Sequence, residues 1–159
     1  MKLKKITLLS KKEYEQFERV IPLKRSWWWL KTPRVNSEDR VYAVEAQLYV
    51  SSVYCADNYG GVRPVCVFTL EYTDDIFWTK AEKLIGAKAH FGQYGWTVYN
   101  AKDGDLYMIC DDIIHETRFD DESNIWEVSE LKNWIDKHAL SRITRQGEFS
   151  DECILVKGG

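Results

Sequence analysis

Two short stretches decide the fold of this chain: SWWWLKTP at residues 26–33 and GGVRP at residues 60–64. Three consecutive tryptophans are improbable by chance, and the side chains of a strand alternate between its two faces. The run therefore predicts a strand over residues 26–31, in which Trp27 and Trp29 share one face and Trp28 points to the other. Either both faces are covered, or one of them presents indole to a partner.

The second stretch opens an apolar run over residues 62–70, which predicts one continuous strand buried on both faces. Arg63 lies inside this run, so we expect it to be buried or half-buried. An unpaired charge there would cost several kcal/mol, so it needs an acid or several carbonyls as partners. Arg63 is then either a structural clamp between loop and sheet or an anion-binding residue.

Length and composition indicate one soluble domain with an excess of aromatic residues. The chain has 159 residues and a net charge of −3, and seven Trp, nine Tyr and six Phe make it 14% aromatic. Nucleic-acid binding needs a basic surface that neutralises phosphates, so the acidic balance argues against that class of partner. Most of the aromatic residues are expected in the core, and the others are candidates for a binding surface.

The cysteines and the hydropathy pattern indicate a reducing cytoplasm. Cys55, Cys66, Cys110 and Cys153 are isolated, and Cys66 and Cys110 lie in apolar runs where a free thiol packs as a small hydrophobe. The beginning of the chain, MKLKKI, has no apolar stretch of signal-peptide length, and no later run approaches a membrane span. We therefore expect a cytoplasmic protein with no membrane partner, and leave open whether any cysteine pair is oxidised.

The remaining pattern alternates short strands with two helices. Ser10 and Glu13 have the spacing of a capping box, which predicts a helix over residues 11–19. Ser129 is expected to cap a second helix that ends near residue 140, with an inward face of Leu131, Trp134, Ile135 and His138. Strands are expected at residues 6–9, 41–44, 47–53, 96–99, 106–110 and 153–156, with a hairpin turn at 102–105 and a poorly patterned connection at 72–91.

The tryptophan run and the Gly-Val-Arg-Pro tetrad together resemble the signature of DUF6273, a bacterial and phage domain family of unknown function, usually written WWLRSP followed by GVRPAL. The resemblance implies an α+β fold with two helices and mixed or antiparallel sheets, related to C-type-lectin-like and sulfatase-modifying-factor domains. It marks as structural signature residues Trp27, Trp29, Gly61, Arg63, Pro64, Trp96, Trp126 and Trp134. The signature identifies a fold family and no reaction.

The order of the family's parts is reversed in this chain, which resembles a circular permutation. The family's domains begin with two strands and a helix, which resemble residues 96–99, 106–110 and 126–135 of this chain. They end with the Leu-Leu-Ser helix, the WWLRSP strand and the GVRP strand. A single domain over residues 1–159 is therefore expected, with residues 1–71 as the family's C-terminal half, 72–91 as joining sequence and 92–159 as its N-terminal half. Permutation places residues 62–70 beside or near residues 96–99 in one sheet, and Met1 next to Gly159.

The motifs of the related enzymes and lectins are absent. Oxidase chemistry of the sulfatase-modifying kind uses paired cysteines and a metal, and calcium-binding lectins use Glu-Pro-Asn-like and Trp-Asn-Asp motifs; neither set occurs. The acidic run at residues 120–122 is either a cation site or a solvated charge run. His90, His115 and His138 have no nucleophile context, so we expect no catalytic residue, no metal and no cofactor.

These observations predict a non-catalytic binding module that recognises a protein or glycan through an aromatic surface. The candidate ligand-binding residues are Trp28, Tyr54, Tyr59 and Arg63. One alternative is a small phage or mobile-element protein that binds and inhibits a host protein, and another is an enzyme of unknown type. Solvent exposure of the tryptophans discriminates among these readings, because an exposed aromatic patch favours binding and a deep pocket favours catalysis.

Overall fold

The computed structural model describes residues 2–46, 49–70, 81–144 and 154–156. Met1, Cys153 and Gly159 lie outside these residues, as does much of the connection expected at residues 72–91. The adjacency expected of Met1 and Gly159 therefore stays a prediction.

The described residues form an α+β fold of two sheets and two helical segments. The strands are β1 (Lys2–Thr7), β2 (Trp28–Pro33), β3 (Arg40–Val44), β4 (Val50–Tyr54), β5 (Gly60–Val62), β6 (Val65–Thr69), β7 (Lys88–Phe91), β8 (Tyr94–Lys102), β9 (Asp105–Cys110), β10 (His115–Thr117) and β11 (Ile154–Val156). The helices are α1 (Lys11–Phe17), α2 (Glu130–Trp134) and α3 (Leu140–Thr144), with a π-helical turn at Ile135–Ala139 that makes residues 130–144 one composite helix. Single 3₁₀ turns occupy Ala81–Leu84 and Trp126–Val128.

The larger sheet has six strands in the order β1-β6-β9-β8-β7-β11, and all of its pairings are antiparallel. Strands β6 and β8 lie in this one sheet, separated by β9, which agrees with the expectation that residues 62–70 lie near residues 96–99. The first and last described strands, β1 and β11, lie at its opposite edges. Strand β7 was not expected, because its sequence KAHF lies within the poorly patterned connection.

The smaller sheet has five strands in the order β10-β5-β2-β3-β4, and β2 pairs with β5 in parallel while its other pairings are antiparallel. The mixture of directions matches the expected α+β class with mixed and antiparallel sheets. Strand β4 is at one edge of this sheet, where it pairs only with β3 among the described strands.

The prediction of one continuous strand over residues 62–70 is wrong, because the chain changes sheets at Arg63 and Pro64. Strand β5 pairs with β10 in the smaller sheet, whereas β6 pairs with β1 and β9 in the larger one. Proline has no N–H to donate to a ladder and its φ angle is fixed, so Pro64 interrupts pairing there. The apolar run correctly predicted that this segment is buried on both sides. The burial arises because the two sheets meet along it.

The alternation predicted for the tryptophan run is confirmed, and both faces of β2 are covered. Trp29 packs with Val41 and Ala43 beneath the composite helix, in a core that also holds Leu8, Phe119, Leu131, Ile135 and Ala139. Trp28 packs on the opposite face, between the sheets and α1, in a core with Tyr14, Leu30, Val65, Tyr99 and Ile109. Trp27 precedes the strand, and its ring meets that of Trp29 edge to face at 4.9 Å between centroids.

The capping box at the start of α1 is confirmed. The Ser10 hydroxyl accepts a hydrogen bond from the Glu13 amide at 3.1 Å, and the Glu13 carboxylate accepts one from the Ser10 amide at 3.0 Å. The helix ends at Phe17, two residues before the predicted end. Tyr14 is its buried residue, so about two turns suffice to cover Trp28.

Ser129 caps the composite helix as predicted, but the predicted inward position of His138 is wrong. The Ser129 hydroxyl accepts a hydrogen bond from the Lys132 amide at 3.0 Å, and Leu131 and Ile135 are buried. The π-helical turn lengthens the local repeat beyond 3.6 residues per turn. Ala139 is therefore buried, and His138 is exposed. A periodicity of 3.6 residues cannot anticipate this shift.

The turn between β8 and β9 is confirmed as a tight hairpin, with Asp103 at φ 52° and Gly104 at φ 81°. The thiols of Cys55 and Cys110 are free and buried, as expected of packed small hydrophobes, and Cys66 is buried as well. Among the described residues, no helix has the length and apolar character needed to cross a membrane.

Candidate functional site

Trp28 does not belong to a surface, which corrects the expectation that it contacts a partner. Its side chain is only 2% exposed. The Tyr14 ring meets it edge to face at 5.6 Å, and the Arg63 guanidinium carbon lies 5.0 Å from the centre of its ring. Helix α1 covers this face of β2, which the alternation of side chains alone could not establish. The Trp28 indole is therefore part of the core.

Arg63 is buried as predicted, at 1% exposure, and one main-chain carbonyl holds it in place. Its Nε donates to the carbonyl oxygen of Cys110 at 2.7 Å, whereas its two terminal amino groups have no hydrogen-bond partner in the described structure. A cavity of about 10 Å³ lies beside it, between Trp28 and Lys24, and has roughly the room that one water molecule needs. Burial lowers the pKa of Arg63 to about 10, against the opposing field of Asp111.

Tyr54 ends β4 and Tyr59 follows it after a connection of four residues, and both are exposed. Their side chains are 45% and 65% exposed, and the Asn58 side-chain amide between them donates to the Tyr54 carbonyl at 3.2 Å. The Arg40 guanidinium stacks over the Tyr54 ring with 3.9 Å between its carbon and the ring centre. We call Arg40, Tyr54, Tyr59 and Arg118 the tyrosine surface.

Arg118 joins this surface through the ladder between β5 and β10. Gly60 pairs with Thr117, so the following Arg118 lies beside the preceding Tyr59. Its guanidinium donates to both carboxylate oxygens of Glu130, at 2.7 and 2.9 Å. These hydrogen bonds raise the pKa of Arg118, and the Tyr59 phenol adds a smaller contribution in the same direction. Tyr54 and Tyr59 therefore each have a fixed arginine next to them.

A second candidate site is an open cleft of about 510 Å³ on the composite helix, lined by Gln93, Trp134, His138, Ser141 and Arg142. We call it the Trp134 cleft. The Trp134 indole is half-buried and lies flat on the imidazole of His115, with 4.1 Å between ring centres and 1° between planes. Arg142 donates to the Ile114 carbonyl at 3.0 Å, and its guanidinium carbon is 6.0 Å from the indole centre.

The position of His115 under Trp134 favours its neutral form. Burial lowers the pKa of its imidazole, and the positive charge of Arg142 lowers it further, while Glu116 opposes the shift. A neutral imidazole stacks on an indole without the cost of burying a charge. Sequence periodicity does not predict this stack, because His115 and Trp134 belong to elements that meet only in the fold.

The first part of the chain, which carries the tryptophan run, matches a known family. Residues 2–70 match the sequence profile of DUF6273, a domain of unknown function. The match runs from β1 to β6 and contains Trp27, Trp29, Gly61, Arg63 and Pro64. No curated protein and no solved structure matches the chain.

The DUF6273 match contains Tyr54, Tyr59 and the buried Arg63, but not the Trp134 cleft. Trp96, Trp126 and Trp134, which the resemblance marks as signature residues, lie beyond residue 70. Trp96 is a core residue stacked on Phe91 at 4.2 Å, and Trp126 packs on the edge of the core under the composite helix. Trp134, by contrast, lines a cleft.

Gly61 and its neighbour Gly60 explain why the signature contains glycine. A Cβ on Gly60 would collide with the Trp27 ring and lie 2.8 Å from the Trp29 indole nitrogen. A Cβ on Gly61 would lie 2.8 Å from the Ile113 side chain and 3.0 Å from the Trp27 carbonyl oxygen. The parallel pairing of β2 with β5 therefore requires glycine where the indoles cross the neighbouring strand.

The acidic residues Asp120, Asp121 and Glu130 come within 4.8 Å of one another, yet protein donors already use two of the carboxylates. Asp120 accepts hydrogen bonds from the amides of Glu122, Ser123 and Glu130, and Glu130 accepts from Arg118. Burial by itself raises the pKa of Asp120, but the three amides bring it below its usual value. The cluster organises the loop before the composite helix.

Proposed function

We propose that this chain is a non-catalytic binding module that recognises a protein or glycan through the tyrosine surface. The observation that carries the proposal is the pairing of two exposed phenols with two fixed guanidinium groups, Tyr54 with Arg40 and Tyr59 with Arg118. Tyrosine and arginine are the residues most enriched where binding energy concentrates, because they offer large contact area and directional donors.

The rigidity of this surface supports binding over a purely structural role. Arg118 is fixed by two hydrogen bonds to Glu130, and Arg40 is fixed by hydrogen bonds to the main chain and side chain of Ser52 at 3.2 and 3.4 Å. Side chains that are ordered before binding lose less conformational entropy when a partner arrives. Trp28 and Arg63 support the surface from the core and make no contact with the partner in this proposal.

Affinity capture from native lysate tests the function with a matched control. We expect the double variant Tyr54→Ser/Tyr59→Ser to lose the bound material that the wild type retains. Tyr49→Ser should retain it, because Tyr49 is 56% exposed but lies at the other end of β4, roughly 17 Å away for five residues of strand. Protease sensitivity of the captured material indicates a protein partner, and periodate sensitivity a glycan. Equal capture by all three proteins contradicts the proposal.

We further propose that the fold is a circularly permuted, lectin-like member of the DUF6273 group, in which residues 1–71 and 92–159 are the family's C-terminal and N-terminal halves. The shared sheet of β6 and β8 supports this reading, as does the packing of Leu8 against Leu131 and Ile135, the parts that permutation separates. The opposite-edge positions of β1 and β11 oppose it, unless β11 is an addition beyond the family's helix.

A chain in the family's order provides the test. Residues 81–144 followed by a flexible linker and residues 2–70 should fold with the same far-ultraviolet spectrum and one cooperative transition. The control places the linker inside β9, between Tyr107 and Met108, where it interrupts two ladders. If the reordered chain is as unfolded as the control, the permutation is wrong.

We also place the protein in a reducing cytoplasm. The free, buried thiols of Cys55 and Cys110 support this location, since oxidising compartments favour disulfides in small domains.

A further inference from the structure

The Trp134 cleft offers hydrogen-bond donors and positive charge without a carboxylate among its five lining residues. Of the Arg142 guanidinium, only one amino group has a partner in the described structure, the Ile114 carbonyl. The Ser141 hydroxyl and the His138 imidazole make no hydrogen bond to any described residue. The nearby carboxylate of Asp136 accepts a hydrogen bond from Lys132 at 2.6 Å, and the charge of Glu116 acts on His115.

The π-helical turn at Ile135–Ala139 creates this arrangement. It moves His138 out of the buried stripe and onto the side of the helix that carries Trp134 and Arg142. Such turns are rare, and they are frequently found at functional sites. This feature points to a ligand independently of the charges that line the cleft.

The end of a helix carries partial negative charge, which by itself would repel an anion. Here three of the carbonyl groups near that end already accept hydrogen bonds. The Ile143 carbonyl accepts from the Gln93 amide at 3.1 Å, the Arg142 carbonyl accepts from the Gln93 side chain, and the Leu140 carbonyl accepts from the Thr144 hydroxyl at 2.9 Å. The donors of Ser141, His138 and Arg142 therefore dominate the open side of the cleft.

We propose that the Trp134 cleft binds a small oxyanion, a carboxylate or phosphate group, held by Arg142, Ser141 and His138. The guanidinium fork pairs with two oxygens of the ligand, as it does with carboxylates and phosphates elsewhere. Trp134, fixed by its stack on His115, forms the apolar wall, and the volume of the cleft suits a small molecule. This site is separate from the tyrosine surface, so either proposal can fail alone.

Amide chemical shifts of the ¹⁵N-labelled full chain test the proposal at constant ionic strength. Sodium phosphate and sodium acetate are the two probes, and trimethyl phosphate and acetamide are their neutral counterparts. We expect saturable shifts at Gln93, Trp134, His138, Ser141 and Arg142 with at least one anion and with neither neutral molecule. The probe that binds more tightly identifies the oxyanion.

Three variants separate a site from diffuse attraction. Arg142→Gln should weaken binding roughly tenfold or more, since it removes charge-assisted hydrogen bonds. Ser141→Ala should weaken it less while leaving the fold intact, so the proposal stays testable if Arg142→Gln unfolds. Lys137→Gln removes one charge from the same helix outside the cleft and should leave binding unchanged. Chemical-shift changes that do not saturate with the concentration of the anion overturn the proposal. An equal loss of binding in Lys137→Gln and Arg142→Gln also overturns it.

Discussion

The guanidinium of Arg63 lies 5.0 Å from the centre of the Trp28 indole, and together they join the two sheets at the point where the chain passes from one to the other. The arginine donates to Cys110 of the larger sheet, and the tryptophan belongs to β2 of the smaller one. This contact buries a charge with two amino groups that find no partner in the described structure.

We expect Arg63→Met to be at least as stable as the wild type at pH 7, and up to about 3 kcal/mol more stable, because a buried charge with missing partners costs more than its contacts return. Arg63→Ala should be destabilised by roughly 2 kcal/mol or more, since it leaves a cavity. Urea unfolding measures both. If Arg63→Met instead lowers the free energy of unfolding by more than about 2 kcal/mol, the contacts of Arg63 with Cys110 and Trp28 fully compensate the cost of its buried charge.

Gly92 should be irreplaceable for the helix end beside the Trp134 cleft. It has φ 61°, and a Cβ there would collide with the Ile143 carbonyl. We expect Gly92→Ala to lower the free energy of unfolding by about 2–4 kcal/mol, from backbone strain and overpacking together. Gly86→Ala is the matched control, because Gly86 has φ 92° but open space around it, so its loss should be roughly half as large.

Loss of the Ser129 cap should weaken the composite helix. The hydroxyl accepts from the Lys132 amide and donates to the Trp126 carbonyl at 2.8 Å, and it is buried. We expect Ser129→Ala to cost about 1–2 kcal/mol in thermal or urea unfolding. Ser26→Ala, at an exposed hydroxyl that bonds no described residue, should cost nothing measurable; equal losses would refute the capping role.

Stability should fall in two steps as the solution becomes acidic. The pKa of His115 is lowered in the folded chain, so the unfolded chain takes up this proton first, and stability falls from about pH 7 through the folded pKa. The pKa of Asp120 is also lowered, and its contribution is lost only as pH falls from about 4 through that lower value. His115→Phe keeps a ring under Trp134 and should flatten the first step alone, as measured by urea unfolding at pH 7.5 and 5.5.

Arg40 should keep β4 from pairing with another strand. The sequence VSSVY has no charged residue, unlike β1 at its sheet edge, which carries three lysines, and the Arg40 guanidinium covers the Ser52 carbonyl instead. We expect Arg40→Ser to self-associate with rising concentration in sedimentation velocity. Arg34→Ser is the control, because Arg34 reaches only the Ser52 hydroxyl; if both variants stay monomeric, the edge is protected by other means.

Sequence reasoning succeeded where local chemistry decides the structure. Ser10 with Glu13, Ser129, the Asp103-Gly104 turn and the two faces of the tryptophan run all follow from interactions within a few residues. It failed where a distant element decides. The cover over Trp28 comes from α1, and the pairing of β5 and β6 with different sheets depends on partners far along the chain. Sequence reasoning could not predict the Trp134 cleft. Neither the π-helical turn nor the stack on His115 has a signal in the hydrophobic periodicity of the sequence.

The passage of the chain between sheets at Arg63 and Pro64 has a consequence for what counts as a unit of this protein. Residues 2–70, which comparison with DUF6273 delimits, contain four strands of the smaller sheet but only two of the larger one. Their Trp29 face is completed by Phe119, Leu131 and Ile135 from beyond that segment. The segment that sequence similarity defines therefore holds only part of the core in which it packs, and we expect it to need the later residues in order to fold cooperatively.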